Sequence, residues 1–328
     1  MRLRRSALNG PGWHRGRRGR GFTYTDGDGN KLDAEARQRV ADLVIPPAWR
    51  DVWICPYPNG HVQAVGTDDA GRRQYLYHER WRSERDEEKH DRVLGLVPRL
   101  PAFRAEVGRM MGGSGLGADR VFGTALHLLD RGVFRVGGES YAQENGSHGV
   151  ATLLCSHVEV SGDEVGFRFP AKSGIEFVRS VRDGALARVV RALRRGRSGE
   201  DRLLVYREGR KRCEVHSDEV NERFKGLVGE EYSVKDLRTW HGTVSAAVGF
   251  SGVFAEVGLP GSKAGVRRVE AEVMRRVAEE LGNTPAVARK SYVDPRVVGA
   301  FEGGRVIREG ISDREARDRA VARLVRRG

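Results

Sequence analysis

The 328-residue chain has little cysteine, little lysine and no long apolar run. Each shortage excludes something. Cys55, Cys155 and Cys213 are far apart, odd in number and in no CxxC pair. That leaves neither a disulfide framework nor a zinc-ligand spacing, and predicts buried thiols in a reducing compartment. Nothing approaches the ~20 consecutive apolar residues of a membrane span. The first twenty residues are rich in arginine but lack the apolar core of a secretory signal. The expectation is a cytoplasmic protein with no membrane partner.

Arginine is what the chain has instead. Lys and Arg together number 58 against 45 acidic residues, a net charge of +13, and only 8 of the 58 are lysines. The guanidinium presents a planar fork of donors matched to phosphate, so this balance points to nucleic acid. A hydrophobic content of 39% with 31% charged residues describes a soluble globular chain, and the length suits two domains.

Residues 1–20 are basic and Gly-rich without periodicity, and predict a flexible arm able to lie along a phosphate backbone. Residues 21–88 read as a β-rich domain. Strands are expected at 22–25, 52–54, 61–65 and 72–77, with a short helix over 34–43. The strand at 72–77 alternates polar and aromatic residues, and displays Gln74, Tyr75 and Tyr77 as a plausible groove reader. The charged run 79–92 predicts a solvated helical connector. Residues 89–304 read as mainly helical: 118–132, 264–281 and a helix opening near 233 each carry an apolar stripe. The segment 157–182 predicts a three-stranded meander with Lys172 at a hairpin tip. Segment 183–231 reads as helix, basic turn, helix. Residues 305–328 predict a basic amphipathic helical tail able to pack on the body, with no specific chemistry.

Several side chains sit where chemistry is conceivable. Thr284 and Pro285 open a short helix whose last turn holds Tyr292, beside Arg289 and Lys290, with Asn283 at its start. Cations nearby favour the anionic form of a phenol. Arg135 is flanked by apolar residues, which implies a partly buried guanidinium held by a carboxylate or a phosphate. Arg238 lies in the first turns of an apolar helix, where an anion is favoured. His241, three residues on, reads as structural.

Singly these features are unspecific; their order is not. Arg135 in RVGGESYA, Lys172 in FRFPAKSG, Arg238 in KDLRTW, Asn283 in LGNTP and Tyr292 in KSYVDP follow one known apparatus. With IPPAWRDVWICP, HVQAVGTD and GRRQYLYHERWR, the chain resembles the type IB DNA topoisomerases over roughly residues 21 to 303. Within them it is similar to the short bacterial branch, which is akin to the poxvirus enzymes. The resemblance implies an α+β fold: a small β-rich N-terminal domain plus a larger, mainly α-helical catalytic domain of the tyrosine recombinase/topoisomerase IB type, forming a clamp around double-stranded DNA. It implies a functional monomer associated with the nucleoid. No cofactor or metal is required, and a divalent cation is at most stimulatory.

The implied reaction is ATP-independent relaxation of supercoils through a 3′-phosphotyrosine. Tyr292 would be the nucleophile, Arg135 and Arg238 clamps on the non-bridging oxygens, and Lys172 the general acid. Viral and eukaryotic relatives carry histidine at the place of Asn283. Asparagine can donate a hydrogen bond there but cannot supply a proton near neutral pH. Gln74, Tyr75, Tyr77 and Tyr141 align with DNA contacts. Two other readings compete. A tyrosine recombinase shares the residue set but usually has histidine where Lys235 stands, and needs several protomers. A non-catalytic DNA-binding protein would keep the charge without the chemistry.

Overall fold

Buried apolar side chains sort into two cores, in units that divide between Lys89 and His90. The computed structural model describes residues 2–131 and 134–327, apart from the side chains of Tyr141 and Ser173. It is a mixed fold, mainly helical, with small antiparallel sheets.

The first unit holds β1 (Trp13–Arg18), β2 (Gly21–Thr25), α1 (Ala34–Asp42), β3 (Arg50–Ile54), β4 (Val62–Thr67) and β5 (Arg73–Tyr77). The strands form one antiparallel sheet in the order β2-β1-β3-β4-β5. Asp33 caps α1 by accepting from the Ala36 amide at 2.8 Å. Leu32, Val40, Ile45, Val52, Ile54 and Ala64 make the core.

The N-terminal segment departs from the expected flexible arm. Trp13–Arg18 pairs with both β2 and β3. Ahead of it, the Arg4 amide donates to Asn59 O at 2.8 Å, and Ser6 Oγ donates to Val62 O at 2.8 Å. The arginines hid the strand. Arg15 donates to the carbonyls of Ile45, Pro46 and Trp49, and its guanidinium lies 4.2 Å from the centre of the Phe22 ring. A guanidinium on a long stem can occupy an inward strand position that a hydropathy pattern reads as solvated.

Helix α2 (Glu79–Leu96) is charged at its start and apolar at its end, where Val93, Leu94 and Leu96 are buried. The second unit continues with α3 (Leu100–Met111), α4 (Ala118–Arg131) and α5 (Glu139–Asn145). The expected end of α4 at Gly132 lies outside the described residues. The meander follows as β6 (Val158–Ser161), β7 (Glu164–Pro170) and β8 (Glu176–Arg182), in that spatial order. After α6 (Gly184–Arg194) comes a hairpin that the sequence reading took for a turn between helices: β9 (Val205–Glu208) and β10 (Lys211–Glu214). Its residues are mostly charged, so alternation is weak, while Gly209 at φ +60° makes the turn.

The remaining helices are α7 (Ser217–Val228), α8 (Val234–Val257), α9 (Lys263–Leu281), α10 (Pro285–Ser291), α11 (Pro295–Glu302) and α12 (Arg314–Arg326). No helix among the described residues is long and apolar enough to cross a membrane. The basic helix expected in the C-terminal tail is present and packs on the body. Val321, Ala322 and Val325 of α12 enter the core. Asp318 accepts from Arg104 Nη1 at 2.7 Å and from Trp240 Nε1 at 2.9 Å. Arg314 Nη1 donates to Asp130 at 2.7 Å, and Arg104 Nε to the same carboxylate at 3.1 Å. His241 lies 3.9 Å from Asp130, and burial pushes its imidazole down to about 4. It is neutral near pH 7.

Removing one member of a buried ion network leaves the others uncompensated. Asp318→Ala is therefore expected to cost about 3–4 kcal/mol of unfolding free energy. The urea midpoint reads this, and an unchanged midpoint would contradict a structural role for α12.

Candidate active site

The site is built on the carbonyl end of α9. A helix leaves its last carbonyls without intrahelical donors, and its dipole places roughly half a negative charge there. Gly282, left-handed at φ +58°, ends the helix, and the Asn283 amide bonds back to Ala278 O at 2.8 Å. The exposed carbonyls then take arginines. Arg179 of β8 donates to Glu279 O at 2.7 Å, Arg238 of α8 to Leu281 O, and Arg135 to Gly282 O at 3.1 Å. Arg135 also donates to the Asn283 side-chain Oδ1 at 2.5 Å.

Arg135 is held by the glycines of its own motif. Gly137 has φ +80°, and a Cβ there would lie 2.7 Å from Gly149 Cα. The backbones can therefore meet, with the Val150 amide on Arg135 O at 2.9 Å and the Ala151 amide on Val136 O at 2.7 Å. Arg238 is 6% exposed. Its helix opens at Ser233, whose amide donates to Asp236 at 2.9 Å, and that carboxylate also accepts from Arg92 at 2.9 Å. Thr284 caps α10 by accepting from the Val287 amide at 3.3 Å, with Pro285 in its first turn. Tyr292 follows directly after α10.

The cation over the Tyr292 ring is not a sequence neighbour. The Arg238 guanidinium lies 5.2 Å from the ring centre, whereas Arg289 pairs with Glu270 at 2.7 Å. Burial, and then the charge of Arg135, push Arg238 down to about 10, against the opposing pull of Tyr292. Burial also lowers Arg135. The carboxylate conceivable as a partner for Arg135 is replaced by an amide oxygen and a carbonyl. Like charges thus stand beside each other, with carbonyl and amide dipoles among their partners. With its Oδ1 fixed toward Arg135, Asn283 presents Nδ2, which is buried and has no hydrogen-bond partner among the described residues.

Arg135, Arg238, Asn283 and Tyr292 are therefore brought together. Lys172 makes no hydrogen bond or ion pair with them among the described residues, and is exposed on the short 3₁₀ turn Lys172–Gly174 between β7 and β8. In the first unit, Tyr75 and Tyr77 lie exposed on one face of β5, with ring centres 6.0 Å apart, and Arg73 is on that face too. Gln74 does not join them. Strand alternation turns it to the other side, where Nε2 donates to Asp68 at 2.9 Å. Tyr141 belongs to α5, and its side chain lies outside the described set. Among the described residues no group of three or more His, Cys, Asp or Glu is placed to hold a metal ion.

Two positioning residues escaped the sequence reading. Thr243 Oγ1 accepts from the Asp294 amide at 3.1 Å, and its one proton lies between Thr239 O at 3.0 Å and Tyr292 O at 3.3 Å. A Cβ at Gly242 would lie 2.6 Å from Tyr292 O and 3.0 Å from Tyr292 Cβ. Glycine inside a helix is itself the signal for such close backbone approach.

Two arginines, an amide and a tyrosine thus meet at one helix end, and comparison with known proteins gives the family. Residues 78–300 match the family model of the eukaryotic DNA topoisomerase I catalytic core. Residues 21–68 match that of the bacterial DNA topoisomerase IB N-terminal domain. The chain belongs to the type IB DNA topoisomerase family and is an isomerase. It is 28% identical to DNA topoisomerase 1B of Acanthamoeba polyphaga mimivirus, over 86% of this chain and 85% of that protein. It is 27% identical to DNA topoisomerase 1B of vaccinia virus (strain Copenhagen), over 70% of this chain and 69% of that one.

Gly242→Ala forces Tyr292 away from α8. Single-turnover DNA cleavage is expected to fall about 10- to 100-fold, with DNA affinity retained in a filter-binding assay. Wild-type cleavage would rule out this packing as the device that places the tyrosine.

Proposed function

We propose that the chain relaxes duplex DNA by transesterification, with Tyr292 as nucleophile. Tyr292 Oη attacks a backbone phosphorus, the P–O5′ bond breaks, and a 3′-phosphotyrosine forms. The phenol proton leaves to solvent, and Lys172 supplies a proton to the departing 5′-oxygen. One phosphodiester replaces another, so no nucleotide is consumed. The cut strand turns about its partner, and the 5′-hydroxyl reverses the step.

The observation that carries this reading is the surplus of positive charge beside the Tyr292 ring. Arg135 and Arg238 bring two unit charges to a helix end that supplies roughly half of one. A phosphate completes the balance, and balances it best in the transition state, when charge builds on the non-bridging oxygens. Asn283 Nδ2 is a further donor for one of those oxygens. It lends a hydrogen bond, not a proton. Lys172 on an exposed turn suits a proton donor that meets its acceptor only once DNA is in place.

Tyr75, Tyr77 and Arg73 form the DNA-facing patch of the first unit in this reading, with Gln74 excluded from the direct contacts. The two units enclose the duplex and act as a monomer. A divalent cation is not needed for any step.

Tyr292→Phe is expected to abolish relaxation of supercoiled plasmid in EDTA and to abolish the denaturant-trapped adduct, with DNA affinity almost unchanged. Residual relaxation by this variant would remove Tyr292 as nucleophile. Lys172→Ala is expected to cleave slowly, and to recover when the 5′-bridging oxygen is replaced by sulfur, because a thiolate departs without a proton. A variant equally slow on both substrates would remove the general-acid role.

A further inference from the structure

Along β8 the positions facing the core are 177, 179 and 181, occupied by Phe, Arg and Val. The arginine breaks the apolar alternation. It stands across from Phe167, which is 1% exposed, and its neighbours on that face belong to the same apolar layer. Arg179 itself is exposed, its guanidinium carried clear of that layer on a long stem. β8 is the edge of the sheet β6-β7-β8, and the Arg179 side chain reaches past that edge to Glu279 O on α9.

We propose that Arg179 is a positioning residue that ties the hairpin bearing Lys172 to the helix end that holds Arg135, Arg238 and Asn283. The assignment rests on the general-acid reading of Lys172 and adds to it the means by which the ammonium is held in register with the anion site.

Three observations support it. Lys172 makes no hydrogen bond or ion pair among the described residues, so its place is set by the strands beneath it. The turn itself is well defined, with the Ala171 amide on Ile175 O at 2.8 Å, the Gly174 amide on Ala171 O at 3.0 Å, and Gly174 at φ +71°. Such a turn moves as one piece with the β7–β8 ladder. From Glu176 to Arg179 the strand rises about 10 Å, so a bond at Arg179 fixes the base of a short lever. Its acceptor lies on the last turn of α9, which also holds the other two arginines. One helix end therefore sets the relative positions of three cationic elements: the segment after α4, the start of α8 and the hairpin.

The test is single-turnover cleavage by the full chain at a site mapped with the same protein, on duplexes carrying oxygen or sulfur at the 5′-bridging position. Arg179→Ala is expected to lose about tenfold on the oxygen substrate and to stay within about twofold of the unaltered protein on the sulfur substrate. Arg179→Lys, which keeps one donor, is expected to recover most of the oxygen rate. DNA affinity and its salt slope stay unchanged in both variants. Equal losses on the two substrates, weaker binding with a shallower salt slope, or no loss at all would each overturn the tether. Lys172→Ala, run beside them, separates the two levels. If sulfur rescues Lys172→Ala but not Arg179→Ala, the tether alone is wrong. If sulfur fails to rescue Lys172→Ala, the general-acid reading falls and the tether with it.

Discussion

The carbonyl end of α9 is the part on which the site depends. Helix ends usually meet water or a capping side chain; this one meets guanidinium groups from three separate parts of the chain. The attraction is modest for each, since the dipole supplies only a fraction of a charge. Its value lies in direction. Backbone carbonyls neither rotate nor titrate, so they aim the arginines before any substrate arrives, and the mutual repulsion of Arg135 and Arg238 stays available to a bound anion. A carboxylate in the same place would aim them equally well but would cancel the charge that an anion needs.

How much of this was readable in the sequence depends on whether a residue acts through its side-chain chemistry or through its backbone. Arg135, Arg238, Asn283 and Tyr292 are legible through the order of their motifs, and the apolar stripes of α4, α8 and α9 mark helices that they lie in or beyond. The meander and its turn at Lys172 were equally legible, because Ser161-Gly162-Asp163 and Pro170–Gly174 are strong turn signals. Gly242 and Thr243 were not. They act by letting one backbone approach another, and only a folded chain shows which one. The cation beside Tyr292 was misplaced for a similar reason. Arg289 on α10 pairs with Glu270, and the cation over the ring comes from α8, more than fifty positions earlier.

The misread start of the chain has a physical cause. Arginine lowers apparent hydropathy whether or not its stem is buried. In β1, the half-buried Arg15 donates to three carbonyls. The segment looks solvated because the pattern records residue type and not the fate of the head group. The hairpin β9–β10 went unseen because its adjacent charges leave no apolar alternation to show the period. Gln74 is the opposite case. The strand was found, but the side chain's parity on it put the amide on the far face from Tyr75 and Tyr77.

Gly282 carries a consequence of its own. A Cβ there would meet nothing within 4 Å, so room is not what keeps the position small. The demand is torsional: a left-handed residue must end α9 for its final peptide groups to point where they do. A chain that could not turn at that φ would unwind the last turn and scatter its acceptors, and the arginines that converge there would lose their common reference. The geometry of the proposed anion-binding centre is thus set by a residue that has no side chain.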